Sequence, residues 1–300
     1  MEQHLPTDLH LVGQRRGRLG KRLAPYLLIS PGGAWLVLFF LVPIVFLASM
    51  ALQTGNIFDG FRLTWHVRNF VDAVDKYHVQ FLRSLRYASI ATVVTLVVSY
   101  PLAYWIAFRG GWHKTTFLFM LLLPFFVSFV IRTLAWQFIL ADDGMVLGAL
   151  KRWNLLPESF HVLATSTAVI AGIAYNFLPF MALPLYVSLD RIDRSVVEAA
   201  RDLYSSRVQV FLRVILPLSI PGVFAGVLLT FVPAAGDYVN ASILGGTKTT
   251  MIGNIIQLEY LTNFHYPIAA ALSFILMGGL LVGIFAYAKV LGARSIEEYV

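Results

Sequence analysis

The chain has 300 residues, of which 58% are hydrophobic and only 13% are charged. Soluble domains carry about 25% charged residues, so this composition excludes an ordinary soluble protein and indicates a membrane protein. There are no cysteines, which excludes disulfides and thiolate metal sites. The net charge of +7 is also found in nucleic-acid-binding proteins, but here the basic residues cluster beside apolar runs. We therefore interpret the charge as orientation in a lipid bilayer and expect no nucleic-acid partner.

The N-terminal 24 residues form a polar tail rich in arginine and lysine, and an apolar run follows at about 26–52. That run is longer than the apolar part of a signal peptide, which has about 7–15 residues, and long enough to cross the hydrocarbon core. We predict an uncleaved first transmembrane helix with the basic tail 1–24 in the cytoplasm. A small external loop with charges of both signs is predicted at 53–82.

Five further apolar stretches predict five more transmembrane helices, which makes the protein an all-α, multi-pass membrane protein with six spans. They lie at about 83–108, 115–140, 162–189, 211–232 and 267–291. In this arrangement fourteen of the 23 Lys and Arg residues fall on the side of the two termini. The positive-inside rule therefore places both termini and the loop 190–213 in the cytoplasm.

Every span but the last contains an interior proline, which bends a helix by removing a hydrogen bond. Many such prolines are more typical of moving or cavity-lining helices than of a static bundle. Two pairs of glycines spaced four residues apart, Gly222–Gly226 and Gly279–Gly283, permit close helix contact. We expect both pairs to pack within this chain.

The most polar stretch between two spans runs from Ser195 to Pro217. Ser195 followed by Glu198 is a capping-box pattern, which predicts that a helix begins there. Small and apolar residues then recur at helical spacing and form one narrow face, made of Val196, Ala199, Ala200 and Leu203. A short amphipathic helix of this kind needs a surface to cover that face, and we predict that the surface belongs to another protein.

A membrane enzyme is the competing class of protein, and the chain lacks its usual motifs. There is no His-Glu-x-x-His, no Gly-x-Ser-x-Gly and no close cluster of His, Asp and Glu for a metal. The glycine-containing stretch 244–250 lacks the spacing of a phosphate-binding loop. We therefore predict no catalytic residue, no metal and no cofactor bound by this chain.

Glu198-Ala199-Ala200 is followed after thirteen residues by Val214-Ile215-Leu216-Pro217. This spacing resembles the EAA loop of ABC-importer permease subunits, whose pattern is Glu-Ala-Ala, three residues, Gly, nine residues, Ile-x-Leu-Pro. The similarity extends over about 81–291, which implies the five-span core of the type I permease fold with the first span as an addition. Tyr204 departs from the pattern, because the family has glycine there, and a bulky residue takes a left-handed turn at a cost of about 1–2 kcal/mol.

The resemblance implies an assembly. Its other members are ATP-binding subunits at the cytoplasmic face, which hold ATP and Mg²⁺, a second permease subunit and an extracytoplasmic substrate-binding protein. The resemblance assigns coupling to the ATPase to these positions: Glu198, Ala199, Ala200, Leu203, Tyr204, Leu216 and Pro217. Two roles stay open for Glu198, which either caps its own helix or pairs with a basic residue of the ATPase.

Two longer passages resemble the spermidine/putrescine branch of this family. They are LISPGGAWLVLFFLVPIVFLASMAL at 28–52, and FVPAAGDYVNASILGG at 231–246 with MIGNIIQLEYL at 251–261. The resemblance implies a polyamine importer in a bacterial-type inner membrane. A permease for ferric ion, sulfate or another organic cation is the alternative, and a secondary transporter or a membrane enzyme is less favoured.

Arg132 is the only basic residue deep within a predicted span, where a charge costs about 2.5–3.5 kcal/mol on insertion scales. It indicates either a structural contact inside the bundle or a residue of the substrate path, and Asp142 or Asp237 is a candidate to neutralise it. Acidic residues near the outer ends of spans can attract a cation, and aromatic rings can add cation–π contacts unless they serve packing alone. The candidate path residues are Arg132, Trp136, Tyr175, Asn176, Asp237, Tyr238 and Glu259.

Overall fold

A computed structural model describes residues 28–203 and 206–297 of the chain. The basic tail predicted at 1–24 and Tyr204, which is predicted to couple to the ATPase, lie outside these described residues. Within them, all the long elements are helices, and strands occur in a single short hairpin. Five of the described helices are long and apolar enough to cross a membrane, or six when one bent pair counts as a span. The prediction of an all-α membrane protein is therefore confirmed.

The first helix, α1, covers Leu28–Ala51 and contains a π-helical turn at Val37–Leu41. Strands β1 (Gln53–Asn56) and β2 (Gly60–Leu63) then pair antiparallel. Helix α2 covers Arg68–Arg109, a length of 42 residues. At 1.5 Å per residue it is about 63 Å long, roughly twice the thickness of the hydrocarbon core. Its first turns therefore occupy the end of the loop that was predicted at 53–82.

The span predicted at 115–140 is broken into two helices. Helix α3 (Lys114–Leu122) continues as a 3₁₀ turn, and α4 (Phe129–Leu140) then leaves in a direction that differs by 89°. Pro124 lies in the 3₁₀ turn, where it cannot donate the hydrogen bond of a continuing helix. Val127 and Ser128 have extended backbone and separate the two helices.

The second half of the chain alternates long and short helices. The long ones are α6 (Ser166–Asp190), α8 (Arg207–Ala235) and α11 (Tyr266–Glu297). The short ones are α5 (Leu147–Arg152), α7 (Arg194–Leu203), α9 (Val239–Leu244) and α10 (Ile252–Gln257). Two π-helical turns interrupt this half, at Phe211–Ile215 within α8 and at Leu258–Thr262 after α10. Helix α6 packs between α2 and α8, and these three helices form the centre of the bundle.

The two glycine pairs have different surroundings. A Cβ atom at Gly222 would lie 2.4 Å from the Cβ of Ser188 and 2.7 Å from the carbonyl oxygen of Pro184, and one at Gly226 would lie 2.7 Å from the Sδ of Met181. These glycines therefore let α8 approach the backbone of α6 closely. At Gly283 the space around a Cβ atom is open, so the second pair does not pack as a unit within this chain.

We predict that Gly222→Ala destabilises the protein while Gly283→Ala leaves its stability unchanged. The added methyl at position 222 meets backbone that cannot move aside alone, and overpacking of this kind costs about 1–3 kcal/mol. The difference in stability is measured as the melting temperature of each purified variant. The melting temperature is followed by the loss of the monodisperse gel-filtration peak after heating. Equal melting temperatures would show that α6 and α8 are not in close contact.

Candidate functional site

Helix α7 lies between two spans and begins two residues earlier than the capping-box pattern predicts. Its first residue is Arg194, and Asp193 Oδ1 accepts a hydrogen bond from the N–H of Ser195 at 2.9 Å. The hydrogen bonds from Ser195 lower the pKa of Asp193 and favour its ionised form. The prediction that Ser195 and Glu198 form a capping box is therefore wrong, because Asp193 supplies the acceptor.

The face predicted on α7 is divided between the bundle and solvent. Ala200 is buried, and it packs with Val197 in a cluster that includes Leu185 of α6 and Ile215 of α8. Val196 and Ala199 are exposed, and Leu203 is 80% exposed. The side of α7 that carries Val196, Ala199 and Leu203 is therefore not covered by the described part of the chain.

The remaining coupling candidates lie close by. Leu216 and Pro217 are half-buried in α8, directly after its π-helical turn at Phe211–Ile215. Glu198 is exposed and lines a pocket beneath α7 together with arginines of α2, α7 and α8. Within the described residues Glu198 makes no ion pair. Lys114 and Asp190 form an ion pair that joins the start of α3 to the end of α6 near this end of the bundle.

Three of the candidate path residues lie together beside the break between α3 and α4. Arg132 is 7% exposed, and its guanidinium lies 5.0 Å from the ring centre of Phe125 and 5.7 Å from that of Phe129. Arg132 and Tyr175 line a cavity of about 300 Å³ whose other walls are apolar. The rings of Tyr175 and Trp136 are in contact, with centres 5.3 Å apart.

Neither predicted acid neutralises Arg132. Asp142 instead forms an ion pair with Lys151 at 2.9 Å and a hydrogen bond with His161 at 2.6 Å, and the hydrogen bonds from these two residues lower the pKa of Asp142. Asp237 accepts its hydrogen bonds from Val239 and Asn240. The prediction of a carboxylate partner for Arg132 is therefore wrong within the described chain, where aromatic ring faces surround the guanidinium instead.

Asn176 and Asp237 belong to a buried chain of polar side chains. The amide of Asn176 donates to Thr133 Oγ1 and to Asn240 Oδ1, both at 3.0 Å, and the amide of Asn240 in turn donates to Asp237. These hydrogen-bonded side chains join α4, α6 and α9, so they fix the positions of the three helices relative to one another.

Glu259 lies in a separate cluster, with only 1% of its surface exposed. Tyr77 donates a hydrogen bond to its Oε1, Lys76 Nζ lies 3.4 Å from the same oxygen, and His265 Nδ1 donates to Oε2 at 2.7 Å. Both carboxylate oxygens thus have protein partners. Tyr238, by contrast, is 45% exposed at the start of α9, where its carbonyl accepts from Asn254 at 2.9 Å.

The residues that complete these clusters are not predicted from the sequence. Thr133 and Asn240 are polar positions within apolar stretches, which is the signal that could have identified them. Tyr77 lies 182 residues from Glu259 in the sequence, so no spacing connects the two, whereas His265 is only six residues from Glu259.

Residues 99–291 match the family described as "Binding-protein-dependent transport system inner membrane component". The match includes α7 and its Glu-Ala-Ala stretch. The chain belongs to this family. It is therefore a multi-pass membrane permease of a binding-protein-dependent transport system, and it is a translocation subunit and not an enzyme.

A curated relative supports the same assignment over most of the chain. The "Spermidine/putrescine transport system permease protein PotB" of Haemophilus influenzae is 34% identical over 270 residues, which cover 88% of this chain and 93% of that protein.

Two solved structures share the fold. A bacterial ABC transporter that imports the acidic polysaccharide alginate has a chain that matches with a TM-score of 0.66 and 18% identity, over 93% of this chain and 99% of that one. The same kind of transporter in complex with a periplasmic protein that carries an alginate pentasaccharide matches with a TM-score of 0.64 and 19% identity, over 91% and 96% of the two chains. The predicted ABC-importer permease fold is confirmed.

We predict that Glu259 stabilises the protein above the pKa of a free glutamate and that this stabilisation disappears in acid. Burial alone would raise the pKa of Glu259, but hydrogen bonds from Tyr77, Asn263 and His265 and the charge of Lys76 lower it. A carboxyl whose pKa is lowered on folding contributes its full stability above the unfolded pKa, about 4.3, and loses it as the pH falls through the folded pKa.

Glu259→Gln should therefore lower the melting temperature at pH 7, and the difference from the unmodified protein should shrink below about pH 4. Glu158→Gln is the control, because Glu158 is exposed and its carboxylate makes no ion pair within the described residues. A Glu259→Gln difference that stays constant from pH 7 down to pH 3.5 would contradict the role of the carboxylate charge.

Proposed function

We propose that this chain is the permease subunit of an ATP-driven ABC importer of polyamines, the class that includes spermidine and putrescine. The observation that carries the proposal is the 34% identity to the spermidine/putrescine permease over 88% of the chain. ATP and Mg²⁺ bind to a separate ATPase subunit, and this chain binds no cofactor. The distribution of Lys and Arg supports an inner-membrane orientation with both termini and α7 in the cytoplasm.

The two ends of the bundle are assigned to different partner proteins. An ATP-binding subunit covers the exposed face of α7, a second permease subunit completes the pathway, and an extracytoplasmic substrate-binding protein delivers the polyamine at the opposite end. The alginate transporter that shares this fold has been solved with a periplasmic protein bound, which supports the last of these.

Helix α7 transmits the movement of the ATPase to the spans. Glu198, Ala199, Ala200, Leu203 and Tyr204 form the coupling segment, and Leu216 and Pro217 form its continuation in α8. Val197 and Ala200 pack on the cluster shared by α2, α6 and α8, so displacement of α7 shifts all three helices. The hydrogen bond from the N–H of Gln209 to Ser206 Oγ, at 3.2 Å, begins α8 directly after the coupling segment.

The cavity beside the helix break is our candidate for part of the substrate path. Trp136 and Tyr175 supply ring faces that suit a cationic amine, whereas Arg132 would repel one and is held by Phe125 and Phe129. We assign Arg132 to shaping the break and limiting how deeply a cation settles there. We assign Asn176, Asp237 and Glu259 to holding the helices, and Tyr238 to the outer entrance.

We predict that Leu203→Glu abolishes coupling without unfolding the protein. A carboxylate at a position that docks on an ATPase must lose its hydration, so both co-purification of the ATP-binding subunit and ATP-dependent uptake should fall at least about tenfold. Leu155→Glu is the matched control, since Leu155 is 64% exposed in the loop at the other end of the bundle. Full uptake by the Leu203→Glu variant would show that α7 is not part of the coupling interface.

For the substrate, we predict that a strain lacking this chain loses uptake of labelled spermidine or putrescine and keeps uptake of sulfate and ferric ion. Reintroducing the chain with its partner subunits should restore polyamine uptake, and blocking ATP hydrolysis should abolish it. An unaltered polyamine rate, with loss of one of the other solutes, would assign the importer to that solute. Uptake that continues without an ATP-binding subunit would indicate a secondary transporter.

A further inference from the structure

A pocket of about 580 Å³ lies beneath α7, between this helix and the adjoining ends of α2 and α8. Its rim carries four arginines from three elements, Arg109 of α2, Arg194 and Arg201 of α7 and Arg207 of α8. Its floor is apolar and aromatic, and includes Phe108 and Ile215. The pocket thus has a strongly basic opening and an apolar floor.

The charges of this rim are not balanced within the chain. Glu198 is the one acid among the lining residues, and within the described residues none of the four arginines forms an ion pair with a carboxylate. Ser206, at the start of the 29-residue helix α8, adds the positive end of a long helix dipole. The pocket therefore selects an anion, and guanidinium groups match the oxygens of a phosphate especially well.

The position of the pocket distinguishes a lipid from a soluble anion. Arg109 is the last residue of a span and Arg207 is the first residue of another, so the rim lies at the level of the lipid headgroups. A soluble phosphate has no apolar group to pack against the apolar floor, whereas the glycerol and acyl region of a phospholipid can pack there. Basic pockets between transmembrane helices on the cytoplasmic side are typical sites for anionic headgroups.

We propose that this pocket binds the phosphate of an anionic phospholipid of the inner leaflet. Arg194 and Arg201 belong to α7, so the lipid contacts the coupling helix from the membrane side while Ala199 and Leu203 remain exposed on its other side. The lipid and the ATPase can therefore occupy α7 at the same time. The proposal rests on the cytoplasmic orientation given above and goes beyond the proposed transport function.

The test is a titration of the purified, delipidated transporter complex in detergent with fluorescent phosphatidylglycerol. A basic residue near a membrane surface contributes about a fivefold gain in affinity for anionic lipid, so Arg194→Gln with Arg207→Gln should weaken binding about 25-fold. Arg191→Gln is the matched control, because Arg191 lies in the same loop but lines a different pocket. Its affinity for phosphatidylglycerol should equal that of the unmodified complex.

Three outcomes would overturn the proposal. They are unchanged affinity in the double variant, an equal loss in Arg191→Gln, and displacement of the lipid by an equal concentration of glycerol phosphate, which would make the ligand a soluble phosphate. If the double variant fails to assemble, Arg109→Gln tests the pocket from α2 with an expected loss of about fivefold. Lipid binding in detergent requires no transport, so failure here is distinguishable from failure of the proposed function.

Discussion

The close approach of α8 to α6 is the contact on which the rest of the bundle depends. Gly222 and Gly226 place no side chain of α8 against α6, and the hydroxyl groups of Tyr100 of α2 and Ser219 of α8 are hydrogen-bonded at 2.7 Å. Lipid solvates apolar helices as well as a protein does, so association inside a membrane relies on such close packing and on hydrogen bonds.

Four buried, hydrogen-bonded side chains fix the helices that surround the central helices α2, α6 and α8. They are Thr133, Asn176, Asn240 and Asp237. A polar group in a membrane interior has no water to bond, so losing one partner is costly and the arrangement is strongly specified. Asn176 of α6 anchors α4 on one side and α9 on the other. The helix that follows the 89° break is thereby tied to α6 through buried side chains, while α3 before the break is joined to α6 by the ion pair of Lys114 and Asp190.

The sequence predicted best where one local pattern decides the outcome. Runs of apolar residues were enough to predict an all-α protein with several membrane-spanning helices, and the spacing from Glu198 to Pro217 was enough to identify the family. The cap of α7 was misassigned because Asp193 and Ser195 are both good caps, and local pattern does not choose between them. The partners of Glu259 were missed because Tyr77 is 182 residues away, and only the packed bundle brings the two together.

Helix α7 is held weakly by comparison with its neighbours. It has ten residues, and a helix shorter than about 12–15 residues is marginal in water unless a packed face supports it. Val197 and Ala200 are the two side chains it buries in the bundle. Such a helix gains most of its order from what binds its remaining surfaces. In the coupling role proposed above, a helix held in this way would become ordered when its partner binds and would relax when the partner leaves.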